Sequence, residues 1–176
     1  MFEVRWHGRG GQGSFTGAKL LGVAAALYDG VYAQAFPSFG PERRGAPVLG
    51  FNRVSPEPIS DHSEIERCDR IVFLDDSLYD ERYLADLKED ALILINTRRH
   101  IDHPSVRCLD ATGLALEVLG RPIANTAMLG FLLAFSEDQI SMQACTKAIS
   151  NDMKPGLAEG NVGLLQKAYA AGRAML

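Results

Sequence analysis

The 176-residue sequence predicts a single α/β domain of three layers, α/β/α, spanning residues 1–176, with a mostly parallel sheet and one antiparallel excursion. Three observations carry that expectation. An alternating apolar–polar run, Phe2–His7, opens directly into the glycine-rich segment Gly8–Gly13 and then into a stretch of small and apolar residues. Two extended segments lie on either side of a Pro- and Gly-containing loop at 37–45. That loop is too short for a helical crossover, so the two strands are expected to run antiparallel. From about residue 70 the chain alternates short apolar runs with helical ones.

In order, Phe2–His7 reads as the first strand. Ala18, Leu20, Leu21, Ala24, Ala25 and Leu27 supply the buried side of a helix that Ser14 or Thr16 caps and Gly30 stops. Val31–Phe36 and Ala46–Val54 are the next two strands, and the prolines at 56 and 58 make a turn. Arg70–Leu74 is a buried strand, followed by a helix capped at Ser77 and running to about Leu87. Ala91–Ile95 and Val106–Leu109 are strands, and a helix from Asp110 or Thr112 ends at Gly120. The remainder reads as three helices: Asn125 to about Phe135, one through Ile149, and one after Pro155-Gly156.

Composition narrows the function. Eighteen Lys+Arg stand against twenty-two Asp+Glu, so broad affinity for nucleic acid is not expected. An apolar share of 47% excludes a disordered chain. No apolar run reaches the roughly 18 residues that span a bilayer, and residues 1–6 have no signal-peptide layout, so no membrane insertion and a cytoplasmic location are expected. Cys68, Cys108 and Cys145 are far apart and form no Cys-x-x-Cys, which speaks against an iron–sulfur cluster or zinc site of this chain's own. The four histidines show no metal-ligand spacing and no pairing with a nucleophile, so no catalytic residue and no metal ligand is expected here.

Two segments invite a ligand or partner. Gly8, Gly10 and Gly13 satisfy G-x-G-x-x-G between a strand and a helix, a Rossmann-like setting in which backbone N–H groups can approach an anion. Arg9 and Gln12 add side-chain donors, with Gly11 completing the turn. The second strand carries no acidic residue at its end to hold a ribose, which weakens a nicotinamide reading. The second segment places Arg43 and Arg44 between Gly40 and Gly45, a constrained pair of guanidinium groups suited to a phosphate or carboxylate. Phe36 and Phe39 beside it suggest a covered interface. Asp75-Asp76 lies at a strand end where α/β sheets hold ligands, and an Asp76-Ser77 helix cap explains it equally well.

The stretches Gly8-Arg9-Gly10-Gly11-Gln12-Gly13, Phe36-Pro37-Ser38-Phe39-Gly40-Pro41-Glu42-Arg43-Arg44-Gly45-Ala46-Pro47-Val48 and Asn125-Thr126-Ala127-Met128-Leu129-Gly130 together resemble the gamma subunit of 2-oxoacid:acceptor oxidoreductases, as in pyruvate:ferredoxin oxidoreductase. The resemblance runs from residue 2 to the C-terminus. It implies a multisubunit enzyme with alpha, beta and delta-type partners, in which thiamine diphosphate, Mg²⁺ and [4Fe-4S] clusters reside outside this chain. The 2-oxoacid is decarboxylated on the thiamine, electrons pass to ferredoxin or NAD, and coenzyme A takes the acyl group. On that resemblance Gly8, Arg9, Gly10, Gly11, Gln12, Gly13, Arg43, Arg44 and Asn125 are expected around coenzyme A or a partner's active centre. Phe36, Phe39, Gly40, Pro41, Glu42 and Gly45 are expected at the subunit interface. Two other readings stand beside it: an independent nucleotide-binding domain using the glycine turn, and a purely structural interface subunit.

Overall fold

The computed structural model describes residues 1–38 and 45–176. They form one six-stranded sheet: β1 (Phe2–Arg9), β2 (Tyr32–Pro37), β3 (Pro47–Ser55), β4 (Cys68–Phe73), β5 (Leu87–Asn96) and β6 (Val106–Leu109), in the order β2-β3-β1-β4-β5-β6. β1 pairs antiparallel with β3 from Phe2↔Val54 to Arg9↔Pro47, and parallel with β4 from Val4↔Arg70 to His7↔Phe73. β4, β5 and β6 continue the parallel half, and β2 completes the antiparallel excursion on β3. The mostly parallel sheet with its antiparallel pair is therefore as the sequence predicts.

The helices are α1 (Ser14–Val23, continued by a π-helical turn, Ala24–Asp29), α2 (Ala111–Leu119), α3 (Asn125–Ala134), α4 (Met142–Asp152) and α5 (Pro155–Arg173). Strand alternation divides the sheet's two faces. Phe2, Val4 and Trp6 of β1, Val54, Val72 and Leu94 pack with residues of all five α-helices in one core. Every residue of α3 is buried, so it is the central helix of that layer. On the opposite face Phe51, Ile71, Phe73, Ile93 and Ile95 form a second core, covered by Leu78, Tyr79, Tyr83, Leu84 and Ile101 from turns and loops.

That second covering layer differs from the expected helix at Ser77–Leu87. The segment is two 3₁₀ turns, Asp76–Leu78 and Glu81–Asp86, and the next strand begins at Leu87 rather than Ala91. Asp75 accepts from the Ser77 N–H and Asp80 from the Arg82 N–H, with Tyr79 and Asp80 extended between them. Two side-chain caps five residues apart each start a turn and so prevent one continuous helix. The start of α1 also departs from expectation. Neither Ser14 nor Thr16 caps it: Gly13 does, in the left-handed region (φ 82), while the Ser14 hydroxyl turns toward the Val48 carbonyl at 3.4 Å. Gly30 (φ 71) ends the π-helical turn as expected. No helix among the described residues is long and apolar enough to cross a membrane.

The helical layer depends on one close approach. A Cβ on Gly130 would lie 2.1 Å from the Leu165 carbonyl oxygen, so the α3 and α5 backbones touch where only a glycine fits. Gly130→Ala is expected to cost about 1–3 kcal/mol by overpacking, lowering the melting temperature of the purified chain by roughly 3–10 °C. An unchanged melting temperature would contradict this packing.

Candidate functional site

β1 ends at a point held from both sides. On the antiparallel side the Gly10 N–H donates to the Ala46 carbonyl (2.8 Å) and the Gly45 N–H to the Gly10 carbonyl (3.3 Å). On the parallel side the Leu74 N–H donates to the His7 carbonyl (2.8 Å), which carries the ladder up to Asp75. The glycine turn projects between these two anchors at the carboxyl end of β1 and β4, where α/β sheets open toward ligands.

The turn requires left-handed backbone at Gly11 (φ 95) and Gly13 (φ 82), a region that side chains disfavour. Gly13 is also crowded: a Cβ there would meet the Asn125 amide nitrogen at 2.5 Å. The fold thus brings the third sequence motif, at the start of α3, onto the glycine turn. Asn125 is buried, and its Oδ1 accepts from the Thr126 N–H (2.8 Å). Thr126 beside it is fully buried, and among the described residues its Oγ1 has no hydrogen-bond partner.

α1 begins with no side-chain cap, so the N–H groups of its first turn lack the partner that a Ser or Asp would supply. They face a cleft of about 300 Å³ lined by Arg9, Gly10, Gly11, Gly13, Ser14, Phe15, Thr16 and Val48. Donors at a helix N-terminus, left-handed glycines and an open cleft together suit an anionic group.

The side chains of Arg9 and Gln12 also enter a network with Asp75 and Ser77. Gln12 Oε1 accepts from the Arg9 backbone N–H (2.7 Å), and its Nε2 donates to Asp75 Oδ2 (2.9 Å). Arg9 donates from Nε to Asp75 (3.2 Å), from one terminal nitrogen to the Gly45 carbonyl (3.1 Å) and from the other to Ser77 Oγ (2.8 Å). Ser77 in turn donates to Asp75 Oδ1 through its N–H (3.0 Å) and its hydroxyl (2.5 Å). Burial alone would raise the Asp75 pKa. Hydrogen bonds from Ser77 and Gln12 and the charge of Arg9 outweigh it and hold the carboxyl below its usual range. The cap at this strand end is thus Asp75 rather than Asp76, whose carboxylate accepts instead from Thr97 Oγ1 (2.7 Å) and Arg99 (3.2 Å).

The expected Arg43–Arg44 pair lies outside the described residues, as do Phe39, Gly40, Pro41 and Glu42. Gly45, the residue after that stretch, is bonded to the glycine turn through Gly10. Phe36 belongs to β2 rather than to an exposed loop. Its ring stacks on Phe51 at 5.2 Å, and Arg53 lies over it at 5.7 Å, so it is partly buried against the chain's own second core. Gly8 sits within β1, where a Cβ would meet Ser14 Oγ at 2.8 Å.

The three thiols occupy separate elements, Cys68 in β4, Cys108 in β6 and Cys145 in α4. Burial pushes all three pKa values up, Cys68 to about 12, so they persist as neutral thiols. Among the described residues no three His, Cys, Asp or Glu side chains are grouped to hold a metal ion.

An α/β sheet with a glycine turn at its carboxyl edge and a helix start without a side-chain cap beside it defines an α/β domain whose turn borders an open cleft. Residues 3–171 match the family model described as pyruvate ferredoxin/flavodoxin oxidoreductase, and the chain belongs to that family. It is similar to pyruvate synthase subunit PorC of Methanothermobacter marburgensis, 42% identical over 96% of both chains. It is also similar to the pyruvate/ketoisovalerate oxidoreductases common subunit gamma of Pyrococcus furiosus, 40% identical over 96% of both. Among solved structures, pyruvate oxidoreductase subunit PORC of Thermotoga maritima superimposes with a TM-score of 0.83 at 34% identity, covering 96% of this chain and 95% of that one. A 2-oxoglutarate:ferredoxin oxidoreductase chain from Magnetococcus marinus shares the fold, with a TM-score of 0.76 at 17% identity, over 98% of this chain and 31% of its own.

Below the turn, β1 buries a polar pair on the second core. His7 stacks on Phe73 (4.4 Å) and accepts from Arg5 Nε (3.0 Å), while Arg5 also pairs with Asp86. Burial, with the Arg5 charge, lowers the His7 pKa from 6.5 to about 3. The unfolded ring binds a proton below pH 6.5 that the folded ring refuses until about pH 3, so in that window the unfolded state binds more protons. Stability is complete above it and falls with acid by at most about 1.4 kcal/mol per pH unit. Urea midpoints across the window will therefore fall with pH, and less steeply in His7→Asn. Equal slopes in the two proteins would contradict a buried neutral His7.

Proposed function

We propose that this chain is the gamma subunit of a multisubunit 2-oxoacid:ferredoxin oxidoreductase and that its glycine turn and Arg43/Arg44 segment serve the region where coenzyme A meets the active centre. The full-length family match supports the subunit assignment. A single structural observation supports the site. The Gly10–Ala46 and Gly45–Gly10 hydrogen bonds join the glycine turn to Gly45 and Ala46, the residues that directly follow the arginine segment in the chain.

The residues present fit an anionic group such as a coenzyme A phosphate. The first turn of α1 offers N–H donors, Gly11 and Gly13 allow close backbone approach, and the sequence carries two guanidinium groups, Arg43 and Arg44, just before Gly45. They do not fit an iron–sulfur cluster, because the thiols are dispersed and held neutral. Nor does Asp75 fit a Mg²⁺–diphosphate, because both of its oxygens are taken by donors of this chain. On the family resemblance, thiamine diphosphate, Mg²⁺ and the clusters are held by companion alpha, beta and delta-type subunits. When bound there, they supply the decarboxylation and the two-electron transfer to ferredoxin. This chain binds and orients, and closes its edge of the coenzyme site.

Replacing Arg43 and Arg44 together with Ala in the assembled complex is expected to raise the KM for coenzyme A about tenfold, the value of one lost charge-assisted contact. Assembly and the KM for the 2-oxoacid should be retained. Unchanged coenzyme A kinetics in an intact complex would contradict the site assignment and favour a purely structural subunit.

A further inference from the structure

We propose that Asp75, braced by Ser77, is the positioning residue of the glycine turn, and that Arg9 is a strut between the two motifs rather than a ligand for the incoming anion. The proposal deepens the coenzyme-site reading and rests on it.

Asp75 is fixed before its side chain makes any contact. Its backbone is extended (φ −139, ψ 115) and comes directly after Leu74, whose N–H continues the β1–β4 ladder to His7. The carboxylate then takes four donors, two per oxygen: Ser77 N–H and Oγ–H on one, Gln12 Nε2 and Arg9 Nε on the other. All three guanidinium nitrogens of Arg9 are used within the chain, on Asp75, Ser77 and Gly45. Three of its five N–H donors are spent within the chain and its charge is paired with the Asp75 carboxylate, so it offers less to a second anion. What it does offer is rigidity, because the planar fork spans from the end of β4 to Gly45 with the glycine turn between them. The Gln12 side chain closes the ring by returning to the Arg9 N–H. Besides the Arg43/Arg44 segment, the N–H groups of the α1 first turn are donors for a ligand, and the bracket holds the turn from which that helix starts.

The test uses the assembled holoenzyme, with KM for coenzyme A and for the 2-oxoacid measured separately. Asp75→Ala is expected to raise the coenzyme A KM about tenfold while the 2-oxoacid KM stays within about twofold. Asp75→Asn keeps one acceptor oxygen, enough for Ser77 or for the Gln12 and Arg9 donors but not for both, and is expected to recover part of that loss. Ser77→Ala shifts the same parameter in the same direction by a smaller factor, and it carries the test if Asp75→Ala does not assemble. Combining Asp75→Ala with Arg9→Ala should raise the coenzyme A KM no further than the worse single change, because both remove one strut. A tenfold additional loss in the double variant would make Arg9 a direct ligand and overturn the proposal. So would coenzyme A kinetics unchanged in assembled Asp75 and Ser77 variants, or both KM values rising together. If the Arg43/Arg44 double replacement raises the coenzyme A KM and the Asp75 and Ser77 variants do not, the positioning role alone fails. If none of them does, the coenzyme-site reading fails with it.

Discussion

The placement of β1 in the middle of the sheet is the constraint on which the rest depends. It bonds antiparallel to β3 on one side, through every residue from Phe2 to Arg9, and parallel to β4 on the other. A strand held on both edges has no freedom of register, because a slip of one residue would exchange its two faces. For β1 that exchange would put Arg5 and His7 into the helical core and Trp6 into the turn-covered one. The end of β1 is therefore fixed in space, and the glycine turn starts from a rigid platform. It sits between Gly45–Ala46 from the antiparallel half and Leu74–Asp75 from the parallel half.

The two faces of the sheet are stabilised differently. The helical face is a continuous apolar core, with Trp6 as its largest fully buried side chain and its indole N–H satisfied by Asn52 Oδ1 at 2.9 Å. Asn52 also donates to the Ala18 carbonyl (2.7 Å), so one buried amide ties β1 and β3 to α1 and sets where the start of α1 meets the turn. The opposite face is thinner and more polar. Arg5 reaches from β1 to the Ile65 and Glu66 carbonyls and to Asp86, pinning the loop and the second 3₁₀ turn that cover that side. Removing Asp86 would leave the buried Arg5 guanidinium without its carboxylate, which makes that layer sensitive to that single change.

Much of this is legible in the sequence because it is written locally. Alternation in Phe2–His7, the glycine run and the short 37–45 connection point to β1, the turn and the antiparallel excursion, and Pro155 and Gly120 mark helix ends where the structure has them. The 76–86 segment is not legible, since its apolar residues suit a helix and only the competition between Asp75 and Asp80 as caps splits it into turns. The start of α1 misleads for a related reason: Ser14 has the chemistry of a cap, but burial directs its hydroxyl toward β3. Within the site, the convergence of Asn125 on Gly13 is reached through resemblance rather than through any local pattern. The Asp75–Arg9–Gln12 network links residues more than sixty positions apart, and its only signal in the sequence is an acidic residue at the end of a central strand. Phe36, an aromatic next to the 37–45 connection, stacks on the chain's own Phe51 and stays partly exposed.

Among the described residues, what the glycine turn offers a ligand is backbone geometry. The buried thiols and imidazole are held neutral, and the charged side chains near the turn are largely spent on each other. The backbone donors at the start of α1 remain, aimed by a rigid sheet. Amide hydrogen exchange of the assembled complex, with and without saturating coenzyme A, examines those donors directly. The amides from Gly10 to Thr16 should exchange more slowly when the coenzyme is present, while those of the buried α3 stay as they were. Identical exchange across that turn in both conditions would contradict a coenzyme-facing edge and leave the chain a structural partner only.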